Sequence, residues 1–143
     1  MNYTSIEQSK KLLELGLNPE SADMEYLAIK EDGKLVGDIP FVKDDSEVED
    51  SAYSHIYDRI PCWSATKLLD LLPNIIKRGK EMRNWYWFNL NREPYQISYG
   101  NSFGSSGEWC DMVSSPQRDD LVDACYDMVV YLIENKCINA NEL

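Results

Sequence analysis

Two aromatic segments near the middle of the chain constrain the fold more than any other feature. Residues 85–92 carry Trp, Tyr and Phe at successive positions, and residues 95–99 alternate large apolar with polar side chains. Alternation with a period of two is typical of a half-buried strand, and Glu93-Pro94 between the segments predicts a turn. We therefore predict an antiparallel strand pair with one face turned to the core.

A second strand pair is predicted nearer the N-terminus. Residues 26–30 and 35–36 flank Asp32-Gly33, a dipeptide that tolerates the positive φ angles of tight hairpin turns. Pro40 suits a strand end or an edge strand. A fifth strand is expected around residues 109–113, after a flexible Gly/Ser loop over residues 100–107.

The first helix is predicted from its termini. Thr4 stands three residues before Glu7, which is the spacing of a capping box. Gly16 followed by Leu17 is typical of a left-handed C-terminal cap with its hydrophobic contact. Asn18-Pro19-Glu20 then predicts one further short turn.

Two more helices are expected. Ser64 caps the second, which Pro73 breaks or kinks, with residues 75–76 available for one further turn. The third begins at Ser115-Pro116 and ends near Asn135. The core predicted from these patterns consists of Leu68, Leu72, Tyr86, Phe88, Ile97, Val122, Cys125, Val129 and Leu132.

These elements predict the fold class and setting. The chain of 143 residues fits one α+β domain over residues 1–143, with an antiparallel sheet of about five strands in two hairpin-like portions and about three helices. It has no apolar stretch long enough to span a membrane, and its opening residues are too polar for a secretory signal. We expect a cytoplasmic protein without a membrane partner.

The residue types that commonly serve in catalysis or metal binding show no recognisable pattern in this sequence. The four cysteines contain no C-x-x-C spacing, and we expect reduced thiols, at least two of them in the core. His55 is the only histidine, and a zinc site of three cysteines with His55 stays an alternative. The Gly/Ser loop 100–107 lacks the Gly-Lys-Ser/Thr of a phosphate-binding loop. We therefore predict no cofactor, no metal and no enzymatic activity.

A basic and aromatic segment is the first candidate for partner binding. It combines cations with tryptophans, a mixture that single-stranded nucleic-acid binding also uses. The net charge of −11 opposes phosphate polyanions, so a protein partner on the aromatic sheet is the main expectation and nucleic acid the alternative. The candidate residues are Lys77, Arg78, Lys80, Arg83, Trp85 and Trp87.

An acidic loop over residues 44–52 gives the second candidate. Five acids within seven residues should repel one another and stay solvated. Concentrated negative charge of this kind would allow the protein to mimic DNA and occupy a host nucleic-acid enzyme. The candidate contact residues are Asp44, Asp45, Glu47, Glu49 and Asp50.

Three segments carry a family resemblance: TSIEQSKKLLELGLNPESADM, PCWSATKLLDLLP and DACYDMVVYLIEN. They resemble a group of small uncharacterised proteins of gut Bacteroidetes, many of them encoded by prophages or mobile elements. The resemblance implies a bacterial or prophage setting and supplies no catalytic residues. We therefore expect a small acidic accessory protein that acts through protein binding.

Overall fold

A computed structural model of the protein describes residues 2–31, 34–42 and 57–143. These residues form three α-helices and seven β-strands, joined by turns and short 3₁₀ helices. The elements are α1 Ile6–Glu14, β1 Met24–Glu31, β2 Lys34–Val42, β3 Tyr57–Cys62, α2 Ala65–Leu71, β4 Ile75–Lys77, β5 Trp85–Asn91, β6 Gln96–Asn101, β7 Cys110–Ser114 and α3 Leu121–Glu134.

The strands form two antiparallel sheets. In the described residues one sheet has the order β2-β1-β3, and the other has the order β4-β5-β6-β7. The predicted α+β class is confirmed. The number of strands is larger than the predicted five, because β3 and β4 each join one of the predicted pairs.

The N-terminal hairpin is confirmed. β1 pairs with β2 from Met24 opposite Val42 to Glu31 opposite Lys34. Asp32-Gly33, the predicted turn, lies outside the described residues. Pro40 lies in β2, which is an edge strand of its sheet, so its missing N–H interrupts no central ladder.

The start of α1 differs from the prediction by one residue. Ser5 is the N-cap, and its hydroxyl and the Gln8 side chain form the capping box. Thr4 is instead fully buried, and its hydroxyl shares a hydrogen bond of 2.8 Å with Ser9 and accepts one of 3.0 Å from the Trp63 backbone N–H. The prediction failed because a partner distant in sequence takes the Thr4 hydroxyl.

The end of α1 is as predicted. Gly16 has a φ of +96°, and its N–H donates to the Leu13 carbonyl. The Leu17 N–H donates to the Leu12 carbonyl, and both leucine side chains are buried. This is the left-handed cap with its hydrophobic contact.

Residues 75–76 were predicted to be available for a further turn of α2, and this prediction was wrong. Ser64 caps α2 as expected, and α2 ends at Leu71 ahead of Pro73. The chain then forms β4, which pairs with β5 through Ile76 opposite Tyr86. A proline disfavours helical geometry in the residue before it, and the free edge of β5 supplies hydrogen bonds to an extended chain instead.

The start of α3 also differs from the prediction. α3 begins after Asp120, whose carboxylate accepts a hydrogen bond of 2.8 Å from the Val122 N–H. Ser115-Pro116 lies upstream in extended chain, because the Ser115 N–H and hydroxyl are bound to the Ile97 backbone of β6. The end of α3 at Asn135 is confirmed.

The main core lies between the helices and one face of the four-stranded sheet. Its fully buried side chains come from α1, α2, α3 and β6, together with Trp63. Phe88 and Tyr99 meet edge to face across β5 and β6, with ring centroids 5.9 Å apart. Seven of the nine predicted core residues are buried, and Tyr86 and Phe88 are partly buried against the same cluster.

Candidate binding face

The opposite face of the four-stranded sheet carries the candidate site. Successive strand residues point to opposite faces, so the inward Tyr86 and Phe88 place Trp85 and Trp87 outward. The pairing register extends this outer surface across all four strands. We call it the tryptophan face, and it consists of Ile75, Lys77, Trp85, Trp87, Asn89, Asn91, Gln96, Ser98, Gly100, Trp109, Asp111 and Ser114.

The indole rings of the face are held in place by the protein itself. Trp85 donates its indole N–H to the Gly79 carbonyl at 2.9 Å, and the Lys77 ammonium lies 4.3 Å from the centroid of its ring. The Trp87 ring lies beside it, at a centroid distance of 6.4 Å. Trp109 donates to the Asp111 carboxylate at 2.6 Å. Rings fixed in this way lose little side-chain entropy when a ligand binds on them.

Gly100 lets the third tryptophan lie on the sheet. A Cβ at this position would stand 2.4 Å from the Cys110 carbonyl oxygen and 2.8 Å from the Trp109 ring. The predicted Gly/Ser loop therefore begins too early: Gly100 and Asn101 are buried residues of β6, and the connection runs over residues 102–109. Glycine at this position permits a close approach between strands.

A row of neutral polar side chains crosses the sheet beside the tryptophans. Asn89, Ser98 and Ser114 lie opposite one another on β5, β6 and β7. Ser98 is 2% exposed, and its hydroxyl is the one buried side-chain N or O atom of the described residues that lacks a hydrogen-bond partner. Buried polar groups are paired in most proteins, so this hydroxyl needs an explanation.

Replacement of Ser98 by alanine should stabilise the protein. The substitution removes an unpaired buried hydroxyl, so the free energy of unfolding should rise by about 1–3 kcal/mol. Urea denaturation measures the difference. Ser114→Ala, in the exposed neighbour on β7, is the matched control and should change stability little. A less stable Ser98→Ala protein would show that the hydroxyl has a partner.

The candidate cations do not lie together. Lys77 is on the tryptophan face, whereas the Arg78 guanidinium donates to the Cys137 sulfur just beyond the C-terminus of α3, at 3.1 Å. Arg83 forms an ion pair of 2.9 Å with Glu81, and both side chains are largely exposed. Lys80 is exposed on the segment between β4 and β5. The basic segment is thus divided between two sides of the sheet.

The charge on the tryptophan face itself is balanced. Lys77 supplies the positive group and Asp111 the negative group, and the other members of the face are uncharged. Asp111 also accepts a hydrogen bond of 3.1 Å from the Ser114 hydroxyl. The face is therefore locally neutral on a chain whose formal net charge is −11.

The other sequence candidates lie partly beyond what the structure describes. His55 and the acidic loop 44–52 are outside the described residues. The four cysteines are free thiols, and burial raises the pKa of Cys62 and Cys125 to about 12 each, with smaller contributions from nearby carboxylates. In the described part of the chain, no group of three or more His, Cys, Asp or Glu could hold a metal ion.

Several residues of the face are not predicted as site residues by the sequence. The sequence predicts Trp109 and Asp111 only as part of the fifth strand, Gly100 as part of the Gly/Ser loop and Ser98 only as a polar strand residue. The register that pairs Asn89 with Ser98, and the strand approach at Gly100, could not be read from the alternation pattern. A glycine inside a strand pattern was the available signal.

Comparisons with known proteins give no match: no family model, no curated protein and no solved structure matches the chain. Within the described residues, no helix is both long and apolar enough to cross a membrane.

Proposed function

We propose that this protein is an accessory binding protein without a catalytic role, and that the tryptophan face holds its partner. The observation that carries the proposal is the grouping of Trp85, Trp87 and Trp109 on one outward sheet face. Tryptophan is strongly enriched among the residues that dominate binding energy at interfaces. The cytoplasmic, bacterial or prophage setting expected from the sequence is part of the proposal.

The fixed geometry of the rings supports the proposal. The indole N–H groups of Trp85 and Trp109 are bound internally, which fixes the orientation of both rings on the face. Trp109 remains 43% exposed although its orientation is set by Asp111. Met82 and Phe103, both more than half exposed, belong to the segments next to Trp85 and Asn101 at the same end of β5 and β6.

The unpaired Ser98 hydroxyl supports the same face. An unsatisfied buried group lowers stability, and such a cost is typical of positions that serve binding. Ser98 lies on the same face as the tryptophans, two residue pairs along the ladder from Trp87 and Gly100. Aromatic anchors and an open polar position therefore occupy one continuous surface.

Single-stranded nucleic acid is the second candidate, and the Lys77–Trp85 contact favours it. A cation against a stacked aromatic ring on an antiparallel sheet is a common arrangement for binding unpaired bases. The separation of Arg78 from this face weakens the case for nucleic acid, because phosphate binding needs several cations along one path. A partner protein, the main expectation from the sequence, would use the same rings without that requirement.

A variant pair tests the use of the face. Trp87→Ala/Trp109→Ala should weaken saturable binding by about tenfold or more, because two aromatic anchors are lost. Tyr131→Ala is the control, since Tyr131 is 37% exposed on α3, the helix that packs against the inner face. Binding is measured against displayed peptides, oligosaccharides and single-stranded DNA, after near-ultraviolet circular dichroism has confirmed that both variants are folded.

The contrary result has a specific form. A ligand that binds the tryptophan variant and the wild type equally would overturn the proposal. If that ligand is instead lost when the acidic residues become amides, binding belongs to the acidic loop and the DNA-mimic alternative is supported. The residues to be changed for that comparison are Asp44, Asp45, Glu47, Glu49 and Asp50.

A further inference from the structure

We propose that the ligand of the tryptophan face is an uncharged saccharide, with a sugar ring stacked on Trp87 and its hydroxyls bound by the Asn89–Ser98 row. This inference rests on the proposed function, because it names the chemistry of the partner at that same surface. It follows from three properties of the face: the presentation of the rings, the polar groups beside them and the local charge.

The rings present surfaces for stacking. With the indole N–H groups of Trp85 and Trp109 bound to protein acceptors, what remains for a ligand is ring surface. The Trp87 indole N–H has no hydrogen bond to another described residue, so it can donate to a ligand oxygen. A pyranose has one face of C–H groups that packs on an aromatic ring, and hydroxyls around its rim that accept such a donor.

The polar row beside the rings matches hydroxyl groups. A side-chain amide offers donors at its nitrogen and an acceptor at its oxygen, and a serine hydroxyl is both donor and acceptor. Sugar hydroxyls have the same dual character. Asn89 is held to Asn91 only by a long contact of 3.5 Å, so its amide can turn toward a ligand at little cost.

Ser98 is the member of this polar row whose hydroxyl has no hydrogen-bond partner in the described part of the chain. Its hydroxyl lies between Asn89 and Ser114 on the neighbouring strands, and it has no partner in the described residues. In the proposed complex a ligand hydroxyl completes the hydrogen bond of Ser98, the one buried hydroxyl of the described residues that lacks a partner. An apolar partner would leave this group unpaired, as it is in the free protein, and would gain no hydrogen bond from it.

The charges select an uncharged ligand. Lys77 and Asp111 cancel on the face, and the remaining charge of the chain is strongly negative. A polyanion such as nucleic acid or an acidic glycan would meet repulsion without a compensating group of cations. A neutral saccharide meets no such penalty, and its binding should not depend on ionic strength.

The test titrates the full chain with cellohexaose, xylohexaose, mannohexaose, maltohexaose and N-acetylchitohexaose, followed by calorimetry and tryptophan emission. At least one of these neutral probes should bind saturably, with equal affinity at about 50 and about 500 mM NaCl. Trp87→Ala should weaken that binding by about tenfold or more, and Ser98→Ala should weaken it while the protein stays folded. Tyr131→Ala should bind as the wild type does.

The contrary outcomes separate this inference from the proposed function. If none of the five saccharides binds, or if the bound ligand is a peptide or single-stranded DNA lost in Trp87→Ala, the saccharide inference is overturned while the binding face stands. If a saccharide binds the wild type and both Trp87→Ala and Ser98→Ala equally, the sugar lies elsewhere and both proposals fail for this face.

Discussion

Trp63→Ala should lower the free energy of unfolding by about 3–5 kcal/mol, the usual cost of truncating a buried Trp or Phe to Ala. The Trp63 side chain is 0% exposed and belongs to the main core between β3 and α2. Its indole N–H donates to the Ser21 hydroxyl at 3.0 Å, so the substitution leaves that hydroxyl without its donor as well as opening a cavity. Denaturant unfolding followed by circular dichroism measures the loss.

Two further variants divide this effect into its parts. Ser21→Ala keeps the ring but leaves the buried indole N–H without its acceptor, so it should cost about 1–3 kcal/mol, less than Trp63→Ala. Trp63→Phe keeps most of the aromatic packing and should fall between the two. If Trp63→Ala were no less stable than Ser21→Ala, the ring would contribute little packing and the assignment of Trp63 to the core would be wrong.

The position of Trp63 explains why its loss should affect both sheets. Its backbone carbonyl accepts from the Thr4 N–H and its N–H donates to the Thr4 hydroxyl. The Tyr26 hydroxyl of β1 donates to the Thr4 carbonyl at 2.7 Å. The N-terminal segment, the three-stranded sheet and the main core thus meet around one buried aromatic residue. We expect a single cooperative unfolding transition as a result.

Local chemistry accounts for the parts of the fold that the sequence predicted correctly. Gly16 ends α1 because its φ of +96° suits glycine, and Leu17 then contacts the core. Ser64 caps α2 through the Lys67 N–H, three residues away. Each of these signals depends on residues within a single turn, and a single turn can be read from adjacent letters.

The failures have a common physical cause, which is a partner distant in sequence. Thr4 has the spacing of a capping residue, yet its hydroxyl is bound to Trp63, 59 residues away. Ser115 looks like a helix start, yet it binds Ile97 of β6. Ile75 and Ile76 fit a helical stripe, yet they pair with β5. In each case a contact that forms only after folding outweighs the local preference.

The sequence predicted only part of the candidate face, because some of its residues are positioned by contacts that are distant in sequence. The sequence predicted Tyr86 and Phe88 as core residues and Trp85 and Trp87 as candidates for partner binding, and in the structure Tyr86 and Phe88 pack on the core while both tryptophans point outward. The sequence could not place Lys77 and Arg78 on different sides, because Arg78 follows the end of β4 and its guanidinium binds Cys137, a residue 59 positions away. The position of Trp109 depends on its close approach to Gly100, and the sequence signal for that approach was a glycine inside a strand pattern.

Leu132→Ala should lower the free energy of unfolding by about 2–5 kcal/mol. Leu132 is 0% exposed on α3, and it repeats at helical spacing with the buried Cys125, Met128 and Val129. The Leu132 carbonyl also accepts the N–H groups of Cys137 and Ile138, so the chain folds back over the end of the helix at this residue. Alanine keeps those backbone bonds and removes only the packed side chain.

Tyr131→Ala is the matched control for this prediction, because Tyr131 is the next residue of α3 and is 37% exposed. Both substitutions place alanine in the last turns of one helix, where the gain in helix propensity is a fraction of a kcal/mol and somewhat larger for Tyr131 than for Leu132. The difference between their free energies of unfolding therefore reports mainly on burial. Equal thermal midpoints for the two variants would mean that α3 does not pack through Leu132. A large gap would show that α3 packs into the main core through Leu132, on the side of the helix opposite to solvent.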